Sequence, residues 1–394
     1  MEWVKLGEIG EIITGNTPSK KNKEFYLTED INFISPADIK DFKKINFLYS
    51  SENFISNKAK DKARIAPRNS ILVTCIGNIG KVAKVQLSEV AFNQQINAII
   101  IDNKRYCIDY IAYALIFNQK RMESIANAPV VPIINKKDFS KFKIKIEKSI
   151  KKQNQISNSL NNIGNLINIR KEQIQAYDDL IESLFFQFQF YGEKIFLKNI
   201  IEINPSKSKV KSLDSELLVS FVPMQDVTEK GELNLRQERK LKDVYKGFTY
   251  FENNDVVVAK ITPCFENGKS ALMRNLTNNI GFGTTEFHVL RIKDFNKINP
   301  YWLFYLTRSK QFLLYGENQM TGSAGQKRIP KNFIENFKAK VPQIELQNKF
   351  AEYVIKIEEE KKKLRASLVE LEILFDALME DAFSGNLFKE LEGR

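Results

Sequence analysis

The 394-residue chain is written twice. A helix-like segment that begins near Ile150 begins again near Ile344, and its offset of 194 residues holds without a slip. In the first copy Ile156, Leu160, Ile163, Ile167, Arg170, Ile174, Tyr177, Ile181, Leu184 and Phe188 follow in steps of four and three. The second copy places Phe350, Val354, Ile357, Lys361, Leu364, Leu368, Leu371, Phe375, Leu378 and Ala382 at the same steps. That spacing is the heptad pattern of a seam that one helix presents to another. No proline lies between 150 and 190 or after Pro342. At about 1.5 Å per residue the first seam spans roughly 48 Å, too long to be the private core of one small domain. Two such seams satisfy each other by pairing antiparallel, which predicts a pseudo-two-fold molecule. Arg170 and Lys361 interrupt the seams. Either they meet an acid and fix register, or their stems snorkel along the seam edge, and the second is the simpler expectation.

The segments between the helices repeat more loosely. Residues 1–149 read as an α/β domain. Strand-like runs at Ile31–Ile34, 70–75, Val82–Val85 and Ile96–Ile101 lie between turn signals. A helix is expected over 109–124, and 142–146 alternates apolar residues with Lys as a half-buried strand does. The same order returns: 33–39 resembles 221–227, 69–82 resembles 254–271, 92–99 parallels 282–289, 110–115 parallels 301–306, and 133–146 parallels 329–341. Here the offset drifts, so loop lengths differ between the copies. The expected fold class is α+β, with two α/β domains (1–149 and 191–343). Each is followed by a long helix (150–190, and 344–394 including a tail), and the helices pair as an antiparallel coiled coil.

Charge separates along the same lines. The net charge is +12. The two helical segments hold ten basic and fourteen acidic residues, a net −4, so the globular segments carry +16. Positive charge concentrated on the globular parts attracts a polyanion. Cys75, Cys107 and Cys264 have no metal-ligand spacing and no disulfide pattern, and no signal peptide is evident. This predicts a cytoplasmic protein with free thiols. No apolar run reaches the roughly 20 residues of a membrane span.

Catalytic signatures are missing. The one histidine, His288, sits in a strand-like stretch and is expected to be structural. One His and three scattered Cys cannot build a zinc set. There is no phosphate-binding loop. The Asp/Asn-Pro-Pro-aromatic signature of adenine methyltransferases is absent, and Asn204-Pro205-Ser206 is the nearest approach. The chain is therefore expected to bind no metal and no cofactor.

Binding signatures are present. The segment from Thr321 through Gly322, Ser323, Gly325, Gln326, Lys327 and Arg328 to Ile329 is Gly-rich and ends in an amide and two cations. Gln pairs bidentately with adenine, Arg with guanine, and Lys holds phosphate. Asn78 and Lys81, flanked by Gly77 and Gly80, make a smaller version, and Gly268-Lys269 sits at the matching place in the second copy. Asn93-Gln94-Gln95 and Thr284-Thr285 match in position, and Gln94, Gln95, Thr284 and Thr285 are candidates to read base edges.

Taken together these residues resemble specificity (S) subunits of type I restriction–modification systems. The likeness is carried by Trp3-Val4-Lys5-Leu6-Gly7-Glu8-Ile9 followed by Gly15-Asn16-Thr17-Pro18. It continues in Gly322-Ser323 through Gln326-Lys327-Arg328-Ile329-Pro330, in Gln347 at a helix start, and in the ending from Ala382 to Leu387. The resemblance implies two target-recognition domains, each reading half of a split site in double-stranded DNA. It implies a spacer of paired helices that docks methyltransferase (M) subunits, two in number, and a complex completed by restriction (R) subunits. S-adenosylmethionine, ATP and Mg2+ would be used by those partners, which fits the missing catalytic motifs. With the roughly 48 Å spacer, the half-sites are expected about one helical turn, or about 10 base pairs, apart.

One departure stands out. The counterpart of the Gln-Lys-Arg loop in the first copy is Asn127-Ala128-Pro129-Val130-Val131-Pro132, with two prolines and no cation. The first domain is expected to read DNA through other loops. Two rival readings stay open: a specificity partner of a fused methyltransferase–nuclease, and a structural adaptor joining two proteins through its paired helices.

Overall fold

The computed structural model describes residues 1–126, 131–323 and 325–384. The loop 127–130, Ala324 and the tail beyond Ser384, with the family-like ending at Gly385–Leu387, lie outside the described residues. The chain divides into two compact units, Met1–Glu172 with Arg365–Arg394, and Gln173–Leu364.

The first unit contains a five-stranded sheet ordered Gly10–Thr14, Ile96–Ile101, Ile71–Thr74, Val82–Val85, Asn46–Leu48. A four-stranded sheet runs Asn53–Ile55, Ile31–Ile34, Glu89–Phe92, Ile65–Pro67, and a ribbon pairs Glu2–Lys5 with Lys143–Ile146. The second unit repeats this plan. One sheet runs Ile201–Ile203, Phe287–Ile292, Val256–Ala259, Ser270–Leu272. The other runs Gln237–Lys240, Leu218–Val222, Ile280–Gly283, Thr249–Glu252, and Glu193–Phe196 pairs with Lys338–Val341. Each strand expected from the sequence is present within a residue. Matching turns are also made by matching residues. Asn69 (φ 70°) and Asn254 (φ 71°) both take the left-handed conformation that Asn tolerates, two residues before their strands begin.

The helix expected over 109–124 is two helices, Ile108–Phe117 and Gln119–Ser124. Asn118 (φ −91°, ψ 11°) leaves helical geometry, and its side-chain amide donates to the Ala114 carbonyl at 2.7 Å. Short polar side chains compete in this way with the main-chain ladder. The second unit breaks at the matching place. Pro300–Arg308 ends before extended Ser309, whose hydroxyl caps Lys310–Glu317.

The long helices are Ile150–Phe190 and Ile344–Ser384. Every seam position named above is buried or half-buried. Within the first unit the start of one helix lies beside the end of the other, with Lys171 Nζ 2.8 Å from Glu372. Within the second unit the opposite ends meet, Phe188 and Phe350 having ring centroids 6.0 Å apart. Both contacts are antiparallel. Lys361 does not snorkel. It is 4% exposed, and its Nζ lies 2.5 Å from Asp178 on the facing helix and 2.6 Å from Glu358. A seam position with an acid opposite favours pairing over escape to solvent, because the desolvated ammonium gains a charge-assisted bond. Arg170, the other interruption, is half-buried.

A buried glutamine seats each domain on its helix. Gln153 and Gln347, 194 residues apart, are both fully buried. Gln153 Oε1 accepts from the Cys107 amide at 2.8 Å and Nε2 donates to the Glu147 carbonyl at 2.7 Å. Gln347 Oε1 accepts from the Asn299 amide at 2.9 Å, and Nε2 donates to the Pro342 carbonyl at 2.7 Å and the Lys297 carbonyl at 3.0 Å. Among the described residues no helix is long and apolar enough to cross a membrane.

Two outcomes follow for stability. Gln347→Leu orphans a buried amide and two carbonyls, and is expected to cost about 1–3 kcal/mol, read as a lower urea midpoint. Asp178→Ala should also lower that midpoint, whereas Lys361→Met, which removes the buried charge itself, should leave it unchanged or raise it.

Candidate nucleic-acid interface

The residues singled out in the loops gather at one backbone frame in each unit. In the first unit the Cys75 amide donates to the Gln95 carbonyl at 2.7 Å, and the Ile134 amide to the Cys75 carbonyl at 2.9 Å. Ile76 bridges Ile133, and the Gly77 amide donates to the Pro132 carbonyl at 3.0 Å. The Asn93 side chain caps the Gln95 amide at 3.0 Å. Each bond has a twin in the second unit. Lys260 donates to Glu286 and Ile329 to Lys260, both at 2.9 Å, and Thr262 donates to Lys327 at 3.0 Å. Ile261 bridges Arg328, and the Thr284 hydroxyl caps the Glu286 amide at 3.2 Å. Three segments per unit are thus stapled by main-chain bonds, which leaves their side chains free to differ.

On the first frame Asn78 is exposed in a turn between Gly77 (φ 74°) and Gly80 (φ 88°), and its carbonyl accepts from the Thr74 hydroxyl. Lys81 is half-buried, with Nζ 5.0 Å from the Phe42 ring centroid. Gln94 is exposed and its Oε1 accepts from the Thr17 hydroxyl at 2.8 Å. Gln95 is half-buried and its Oε1 accepts from Asn93 Nδ2 at 3.0 Å.

On the second frame Ser323, Gln326 and Lys327 are exposed, and a turn bond runs from the Gln326 amide to the Ser323 carbonyl at 3.0 Å. Thr285 is exposed and Thr284 half-buried. Lys269 is half-buried on the turn after Gly268, its main chain tied to Cys264 and Ala259. Arg328 is engaged within the protein. Its Nε and Nη2 each donate to Glu286 at 2.9 Å, and Nη1 donates to the Gln326 carbonyl at 3.1 Å. The fork that would read guanine is closed on a carboxylate, so in this geometry Arg328 braces the loop that carries Gln326.

Beneath that brace lies His288, 6% exposed. Its Nε2 is 3.1 Å from the Ile329 carbonyl, so Nε2 carries the proton, and Nδ1 faces Asn204 Nδ2 at 3.2 Å as acceptor. Burial lowers the His288 pKa, and the Arg328 hydrogen bond lowers that of Glu286. The histidine therefore has the structural role expected of it, holding the base of the loop.

Several residues at these frames escaped the sequence reading. Glu286 and Lys260 are tertiary partners with no local signature. Asn16 and Thr17 were legible as part of a motif but not as part of this site. The Asn16 side chain donates to the Lys62 carbonyl and accepts from the Arg64 amide, both at 2.7 Å, which brings two exposed cations to the first frame.

Residues 1–176 match the family model described as the type I restriction modification DNA specificity domain. Over these residues the chain is similar to type I specificity domains. The specificity subunit of the type I restriction enzyme EcoAI of Escherichia coli is 46% identical over 155 residues, covering 39% of this chain and 26% of that protein. That of HindI from Haemophilus influenzae is 32% identical over 145 residues, covering 36% and 31%. The aligned stretch thus spans only a quarter to a third of those relatives. The likeness in fold extends further. The S subunit of a type I restriction–modification system from M. genitalium covers 97% of this chain and 96% of its own, with a TM-score of 0.54 at 15% identity. A chain from a structural study of assembly and conformational transition in the type I system covers 98% of each, with a TM-score of 0.56 at 14% identity. The resemblance to specificity subunits seen in the sequence is therefore found in sequence over 1–176 and in fold over nearly the whole chain.

The brace has a testable consequence for the second unit. Glu286→Gln and Arg328→Lys should each lower amide protection of residues 321–329 in hydrogen exchange. In the unmodified protein protection should persist at neutral pH and fall on acidification. Both shifted groups act in that direction, since His288 must stay neutral and Glu286 ionised.

Proposed function

We propose that this chain is the non-catalytic, DNA-reading subunit of a cytoplasmic type I restriction–modification complex. Its two globular domains each read one half of a split site in double-stranded DNA. The paired helices and their flanks scaffold M subunits, with R subunits completing the assembly. S-adenosylmethionine, ATP and Mg2+ belong to those partners. The observation that carries this reading is the repeated main-chain frame. The same three main-chain bonds and one side-chain cap recur in both units, yet the side chains on them differ: Gln94 against Thr285, Gln95 against Glu286, Pro132 against Lys327, Ile133 against Arg328. A constant frame with changed side chains suits a reader of two different half-sites. The segregation of positive charge onto the globular segments supports the choice of a polyanion as the thing read.

In this reading Gln326 and Ser323 face bases and Lys327 and Lys269 hold phosphate, with Arg328 bracing their loop. Asn78, Lys81 and Gln95 on the first frame, and Thr284 and Thr285 on the second, complete the two contact surfaces.

The test is the methylated-base profile of the host. Deleting the gene should erase one split, adenine-methylated motif. Replacing residues 191–343 with the second repeat of another specificity protein should change one half of that motif and leave the other. A profile unchanged by deletion, or both halves altered by the exchange, would overturn the proposal.

A further inference from the structure

Pro132 and Ile133 stand where Lys327 and Arg328 do, which leaves the first frame with Lys81 and no exposed cation at that place. A DNA reader with so little charge at one of its two contact surfaces would bind one-sidedly, so further charge should enter from another segment. The structure supplies one. Asn16 clamps the chain at Lys62 and Arg64 through both ends of its side-chain amide, at 2.7 Å each. Lys62 and Arg64 are exposed, and neither has an ion-pair partner among the described residues. The neighbouring Thr17 hydroxyl donates to Gln94 Oε1 at 2.8 Å. The Asn16 amide itself is tied to the Phe92 carbonyl at 3.0 Å, two residues before Gln94. A single stretch, Asn16-Thr17, therefore holds both the exposed glutamine and the free cations.

The Thr17 bond has a chemical consequence. An unrestrained glutamine amide presents either its oxygen or its nitrogen outward. In this geometry Oε1 accepts from the Thr17 hydroxyl, and the Nε2 donor pair has no hydrogen-bond partner among the described residues. Donors of this kind pair with acceptors on base edges: guanine O6 and N7, adenine N7, thymine O4.

We propose that Thr17, Gln94, Lys62 and Arg64 form the first domain's DNA-contact site. Gln94 donates to an acceptor on a base edge, Thr17 is the positioning residue that fixes its amide, and the two cations hold the flanking phosphates. This rests on the DNA-reading function proposed above and adds which residues read the first half-site and with what polarity.

The test uses the full chain assembled with its methyltransferase partner, and duplexes bearing the motif found by base-modification sequencing, with single changes in either half. Thr17→Val should reduce discrimination at one position of the first half-site by about tenfold while leaving affinity for random duplex and discrimination at the second half-site intact. Thr17→Ser, which keeps the hydroxyl, should restore it. Lys62→Ala with Arg64→Ala should weaken specific and random duplex alike, and flatten the dependence of log affinity on log salt by about 0.9 for each phosphate no longer neutralised. Gln326→Ala serves as the reference for the second half-site. If the unsubstituted complex shows no split-site preference, the DNA-reading function itself fails. If it does, and Gln326→Ala impairs it, then unchanged discrimination in Thr17→Val or an unchanged salt slope in the double variant overturns this site alone.

Discussion

Two buried glutamine side chains fix how the globular segments sit on the long helices. Gln153 and Gln347 stand at the same place in the two long helices, and each both accepts from and donates to main-chain groups of the domain beside it. An apolar contact would hold a domain against a helix without fixing its angle or height. A fully buried amide must satisfy donor and acceptor together, so it accepts one seating and penalises the rest.

A second layer of constraint lies in the loops. The recurring frame uses main-chain bonds almost alone, and main-chain bonds do not depend on side-chain identity. That separates shape from content. Glu286 and Arg328 occupy a pair of positions that Gln95 and Ile133 fill in the other unit, and the frame is unaltered. A charged brace in one copy is replaced in the other by an amide turned onto its neighbour Asn93. Exposed cations also stand in different places, on the Lys327 segment in one copy and the Lys62–Arg64 segment in the other. Such a protein changes what it contacts without changing how it folds.

Much of this was legible in the chain. The heptad steps located both helices, because burial of a seam demands apolar residues at a fixed period wherever the seam runs. The strands at Ile31–Ile34, Val82–Val85 and Ile96–Ile101 were legible as β-branched and apolar runs between turn signals. The break at Asn118 was not, since an asparagine inside an apolar helical pattern gives little local warning that its amide will turn onto Ala114. Lys361 was misjudged in the same way. Snorkelling is the usual fate of a lysine in a seam, and only the facing helix supplies Asp178.

The sequence by itself determined the repeat, the helical register, the segregation of charge and the absence of familiar catalytic motifs, all of which are periodic or compositional and so survive without coordinates. Only the tertiary structure decided which polar groups are free to meet a partner. The pairing of Arg328 with Glu286, forty-two residues away in the chain, is visible only in the fold. So is the bond from Thr17 to Gln94, seventy-seven residues on. A hydrogen bond between distant residues leaves no local trace, because it depends on which segments the folded main chain brings within about 3 Å, and that is a property of the whole fold.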